Sequence, residues 1–149
     1  MGLLNYSTKI PALRTAGEVQ GILAKHGAKA IMIQYDNEGR PEALTFNIKH
    51  DQQDLSYRLP ITPAKALKVL EAQHQRGQLR HSQPKPDYEQ AGKVAWRIIK
   101  DWVEAQMAIL ETEMVSMEEV FLPYMLGKEG KTLYQVMSER GFYLPEGRG

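Results

Sequence analysis

The sequence predicts an α+β fold. A three- or four-stranded antiparallel sheet carries helices on one face, and a long C-terminal helix plus two short helices complete it. Three observations carry this. Between Ala30 and Leu59, apolar and polar residues alternate with the two-residue period of strands. Between Asp87 and Glu113, apolar residues recur at three- and four-residue spacing with no Pro. Four helical stretches open on a Thr, Ser or Asp followed three residues later by Glu or Gln, a pairing that satisfies the first free N–H groups of a helix.

The elements follow in order. Asn5 to Ile10 alternates weakly and suits a short edge strand ended by Pro11. Thr15 with Glu18 reads as the first capping box. Its helix places Val19, Ile22 and Leu23 on one stripe and stops at His26-Gly27. Ala30–Tyr35, Ala43–Lys49 and Asp54–Leu59 read as strands, joined by a turn at Asp36–Pro41 with Gly39 at positive φ and a second at His50–Gln53. Alternation sends Ile31, Ile33, Tyr35, Leu44, Phe46, Ile48, Leu55, Tyr57 and Leu59 to a core. It sends Met32, Gln34, Thr45, Asn47, Lys49, Ser56 and Arg58 to a polar, solvated face. Thr62-Pro63 starts a helix that runs to about Arg76 and buries Ala66, Leu67 and Leu70.

Gly77–Pro86 is polar, basic and Pro-rich, and reads as a loop between halves 1–76 and 87–149 of a single domain spanning 1–149. The long helix, Asp87 to Glu113, carries Trp96 and Trp102. It needs a partner surface, either the rest of the chain or a second copy of it. Ser116 with Glu119 opens a short helix from Met117 to Leu126, bent at Pro123. Thr132 with Gln135 opens the last one, before Gly141.

Composition narrows the function classes. At 149 residues, 42% hydrophobic and 25% charged, the chain has the make-up of a soluble domain with its own core. It contains no Cys, so disulfides, thiolate metal sites and Cys nucleophiles are excluded. No apolar run reaches the roughly 20 residues of a membrane span, and Met1 to Leu4 is too short for a signal peptide. A cytoplasmic location without a membrane partner is the expectation. Net charge is only +1, yet residues 1–85 hold 12 Lys/Arg against 7 Asp/Glu, while residues 86–149 hold 7 against 11. A basic half suits a polyanion.

No motif names a reaction. The four His have no helical ligand spacing, and no phosphate loop, nucleophile elbow or His-Glu-x-x-His is present. Asp101, Glu104 and Glu111 have Arg97 and Lys100 four residues before the first two, which suits ion pairing on a solvated helix. The expectation is therefore a protein that is not an enzyme and holds no cofactor and no metal. The polar sheet face is the candidate site. Thr45, Asn47, Lys49 and Arg58 would share it, with Lys9, Arg14, Lys29, Arg76, Arg80 and Lys85 around it. Together they offer cations and hydrogen-bonding groups to a sugar–phosphate backbone, most simply single-stranded DNA. Tyr6 and Tyr88 are the aromatics assigned near it for base stacking. The alternative is a protein-interaction module that docks through its aromatic, Met-rich C-terminal helices and the tail Phe142–Pro145.

Two resemblances bear on this. The order helix–three strands–helix from Thr15 to about Arg76 resembles double-stranded RNA-binding domains in order alone. Thr62-Pro63-Ala64-Lys65 stands where that family grips phosphates with Gly and Lys, so its function is not carried over. Met1–Ile10, Ala24–Ala28 and Val94–Gln106, followed by Val120–Tyr124, together resemble a family of small proteins of tailed phages, prophages and viral metagenomes. The block Trp96-Arg97-Ile98, Lys100-Asp101-Trp102-Val103-Glu104-Ala105-Gln106 is its specific part. That resemblance implies a phage context, in which small proteins of replication and recombination are common, and supplies no reaction to transfer.

Overall fold

A computed structural model describes residues 8–77 and 85–142. The elements run α1 (Ala12–Lys25), β1 (Ala30–Tyr35), β2 (Pro41–His50), β3 (Gln53–Arg58), α2 (Pro63–Gln75), α3 (Tyr88–Glu111), α4 (Met117–Val120), a 3-10 turn (Leu122–Tyr124) and α5 (Leu133–Glu139). The architecture is α+β, with a three-stranded antiparallel sheet in the order β1-β2-β3. Residues 5–7 of the expected strand Asn5–Ile10 lie outside the described residues, and Thr8–Ile10 form no strand.

The capping logic holds at three of the four expected sites. Asp87 accepts from the Gln90 amide at 2.8 Å, and Ser116/Glu119 and Thr132/Gln135 form complete capping boxes. It fails at Thr15. Helix α1 starts four residues earlier, behind Pro11, because Pro fixes a φ that suits a helix start. Thr15 is therefore inside the helix and buried. Its hydroxyl turns back to the Pro11 carbonyl at 3.4 Å. At the other end Gly27 takes φ 112, which lets the Ala28 amide reach the Leu23 carbonyl at 3.0 Å and closes the helix. The stretch after Ser116 is shorter than expected. One turn of α4 gives way to the 3-10 turn at Pro123, after which Met125 and Leu126 extend.

That extended piece matters for the sheet. Met125 bridges Tyr57, the Leu126 amide donates to the Ser56 carbonyl at 2.8 Å, and Leu126 bridges Thr132. The C-terminal hook thus covers the outer edge of β3 at Ser56 and Tyr57.

The apolar sheet face packs on α1 and α3. Leu44, Phe46, Ile48, Tyr57 and Leu59 meet Ala16, Val19 and Leu23 from α1 and Trp96, Ile99, Val103 and Met107 from α3. Phe121 closes this core, with its ring centroid 5.4 Å from Phe46 and 5.6 Å from Trp102. Trp96 is fully buried, and its indole N–H donates to the Pro41 carbonyl at 2.9 Å. On another side of α3, Leu70 of α2 packs with Ala91 and Val94. The partner surface of the long helix is therefore the rest of the chain. Its solvent-facing residues are mostly polar or Ala, with ion pairs Arg97–Asp101 at 3.4 Å and Lys100–Glu104 at 3.7 Å, as the spacing predicted. A homo-oligomer through α3 would have little apolar surface to use.

Tyr57 breaks one rule of burial. Its hydroxyl is enclosed and has no hydrogen-bond partner among the described residues. Burial, and then the charge of Glu118, hold its phenol above the ordinary range. The unfolded phenol ionises near pH 10 while the folded one keeps its proton, so stability falls as pH rises through about 10. Tyr57→Phe is expected to leave stability unchanged or raise it by up to about 1 kcal/mol at neutral pH. It should also flatten the alkaline loss in thermal melts; a variant less stable than the parent would show that the hydroxyl has found a partner.

Candidate nucleic-acid interface

The register settles which predicted residues share a face. Thr45 lies between Met32 and Arg58, Asn47 between Ala30 and Ser56, and Lys49 opposite Asp54. Side chains of paired residues project to the same side, so Thr45, Asn47, Lys49 and Arg58 form one patch. No described helix packs on it: the core residues of α1 and α3 meet the opposite face. The Ser56 hydroxyl donates to Asn47 Oδ1 at 2.8 Å, which orients that amide. Arg58 Nη1 donates to the Gly130 carbonyl at 3.4 Å, a long contact that leaves most of its donors unused. Lys49 faces an exposed carboxylate, Asp54, so this corner is less cationic than alternation within β2 alone implies.

The surrounding cations divide. Lys29 stands one residue before β1, and its amide donates to the Asn47 carbonyl at 2.8 Å, at the margin of the patch. Arg14 is exposed on α1, which covers the other sheet face. Lys9 precedes α1, next to Thr8, whose carbonyl accepts from Gln90 of α3 at 3.2 Å. Arg76 caps α2, which packs on α3, and Lys85 leads into α3. These four stand on or beside helices α1, α2 and α3, not on the strands that carry the patch. Arg80 and Tyr6 lie outside the described residues.

Two aromatic assignments change. Tyr88 is not near the polar face. Its ring lies 4.9 Å beneath the Arg40 guanidinium, in a pocket of about 130 Å³ shared with Pro11 and Pro41. Tyr35, which alternation sends to the core, is instead 50% exposed. A bulge at Gln34/Tyr35 shifts the register there, so that Tyr35 pairs with Pro41 and leaves the alternation.

Sequence reasoning missed the cleft beside Arg58. It has a volume of about 440 Å³ and is bounded by Arg58, Thr62 and Lys65 on one side and by Pro123, Tyr124, Thr132, Tyr134 and Gln135 on the other. Two cations and two phenols thus meet at the edge of the polar face. The volume falls within the range of small-ligand sites, roughly 300–1,000 Å³. Its walls are brought together by the hook, which no local pattern announces. Beyond Tyr134 lies an apolar groove of about 200 Å³, lined by Leu122, Pro123, Leu133, Tyr134, Met137 and Phe142. Phe142 reaches it because Gly141, at φ 69, lets the Phe142 amide bond the Met137 carbonyl at 2.7 Å.

Among the described residues, no group of three or more His, Asp or Glu is placed to hold a metal ion. No described helix is long and apolar enough to cross a membrane. Comparison of the chain with protein-family models, with curated proteins and with solved structures finds no match in any of the three.

Proposed function

We propose that this chain binds single-stranded nucleic acid, most simply DNA, and catalyses no reaction on it. The backbone would cross the polar face at Thr45, Asn47, Lys49 and Arg58, and a base would stack on Tyr124 or Tyr134 in the cleft. The observation that carries this is the double position of Arg58. It belongs to the open polar face and also to the wall of a cleft that holds two aromatic rings and Lys65. Cations that track phosphates beside aromatics that take bases are what sequence-tolerant single-strand binding needs. The phage context, with a cytoplasmic location in a bacterial host, belongs to this reading and is motivated by the resemblance of residues 94–106.

Fluorescence anisotropy with thymidine oligomers, the matching duplex and RNA at two salt concentrations tests it. Single strands should bind more tightly than duplex, with affinity falling steeply as salt rises. Equal weak binding to all three, or none, would end the proposal.

A second reading is a docking module for another protein through the C-terminal helices and tail. It is favoured by Leu122, Tyr134 and Phe142, which are 43%, 55% and 56% exposed around the apolar groove. Deleting Gly141–Gly149 separates the two readings. Loss of captured protein with oligonucleotide binding intact is the result the second one requires.

A further inference from the structure

We propose that the outer edge of β1 pairs with β1 of a second copy of this chain, antiparallel and about a two-fold axis through Met32. The two flanks of the sheet are treated differently. The chain's own hook covers β3 at Ser56 and Tyr57, while among the described residues no segment pairs with the outer side of β1. An exposed edge is normally blunted by charge, Pro or irregularity. From Ala30 to Tyr35 there is no charged residue and no Pro, and the one bulge lies at the far end.

The occupant is argued from charge and register. Lys25 ends α1 and Lys29 directly precedes β1; the turn after β1 carries Asp36 and Glu38, which share the one Arg40 at 2.8 and 3.0 Å, and Glu42 follows at the start of β2, so that end keeps a net negative charge. Antiparallel pairing of two copies lays each basic end beside the other copy's acidic end, whereas parallel pairing would oppose like with like. The regular part of the strand is Ala30–Gln34, because the bulge removes Tyr35, and its centre is Met32. With the axis there, each side chain keeps its face. Met32, 55% exposed in the single chain, meets the partner's Met32, and half-buried Ile31 meets the partner's Ile33. A pairing this short buries little area, so a dimer of micromolar or weaker affinity is expected.

The chain has no Cys, so one introduced thiol reports cleanly. Facing Cα atoms of an antiparallel pair lie about 4.5–5.5 Å apart, within disulfide reach. Under mild oxidation Met32→Cys should give a linked dimer faster than Glu104→Cys, an exposed control on α3. Sedimentation velocity from low-micromolar to near-millimolar protein should show a dimer that Met32→Lys abolishes without lowering the melting temperature of the dilute chain. A monomer throughout, a dimer untouched by Met32→Lys, or cross-linking no faster than the control overturns the proposal.

Discussion

Trp96→Ala is expected to lower folding stability by about 3–5 kcal/mol, the range for emptying a fully buried aromatic site. The indole is out of contact with solvent. It sits where α3 crosses the start of β2, and its N–H answers the Pro41 carbonyl. A domain of ordinary stability holds only about 5–15 kcal/mol in total, so this variant would lose a large share of it. Trp96→Phe divides the effect. The ring volume is partly kept, but a buried carbonyl loses its donor, which costs about 1–3 kcal/mol by itself. Urea unfolding followed by circular dichroism measures both. If Trp96→Ala unfolds within 1 kcal/mol of the parent, the packing of α3 on the sheet is not as described.

Lys49→Ala together with Arg58→Ala is expected to weaken oligonucleotide binding at least about tenfold at low salt, with stability altered by no more than about 0.5 kcal/mol. Neither side chain contributes to the core, and Arg58 makes one long hydrogen bond to Gly130. Each lost phosphate contact should also lower the slope of log affinity against log salt by about 0.7 for a single strand. Arg58 is expected to matter more, because Lys49 already faces Asp54 and Arg58 also borders the cleft. Lys65→Ala should lower the slope as well, whereas Arg14→Ala on the opposite layer should not. Salt slopes that follow Arg14 and ignore Arg58 would move the site to the helical layer.

The fold was legible where local chemistry decides it. The strand Ala30–Tyr35 has the same bounds in sequence pattern and structure, and the Ser116 and Thr132 boxes start their helices as expected. Each depends on residues within one turn or one strand. Misreadings arose where a neighbour competes. Thr15 has the sequence of a cap, but Pro11 opens the helix first. Tyr35 has the parity of a core residue, but the bulge intervenes. The site was only half legible. The polar face follows from a period of two, so Thr45, Asn47, Lys49 and Arg58 could be grouped in advance. The cleft depends on residues near position 60 meeting residues near 130, and no periodicity encodes that meeting. For the same reason Lys9, Arg14, Arg76 and Lys85 could be recognised as basic but not assigned to a layer.

The hook that shields β3 is distant along the chain: Arg58 and Gly130 are 72 residues apart. During translation at about 5–20 residues per second, the sheet's third strand would wait roughly 4–14 s for its cover to leave the ribosome. In that interval both flanks of the nascent sheet are open to other polypeptides. Truncations that end before Met125 leave that edge of β3 open, and should accumulate as insoluble β-rich aggregates instead of soluble protein.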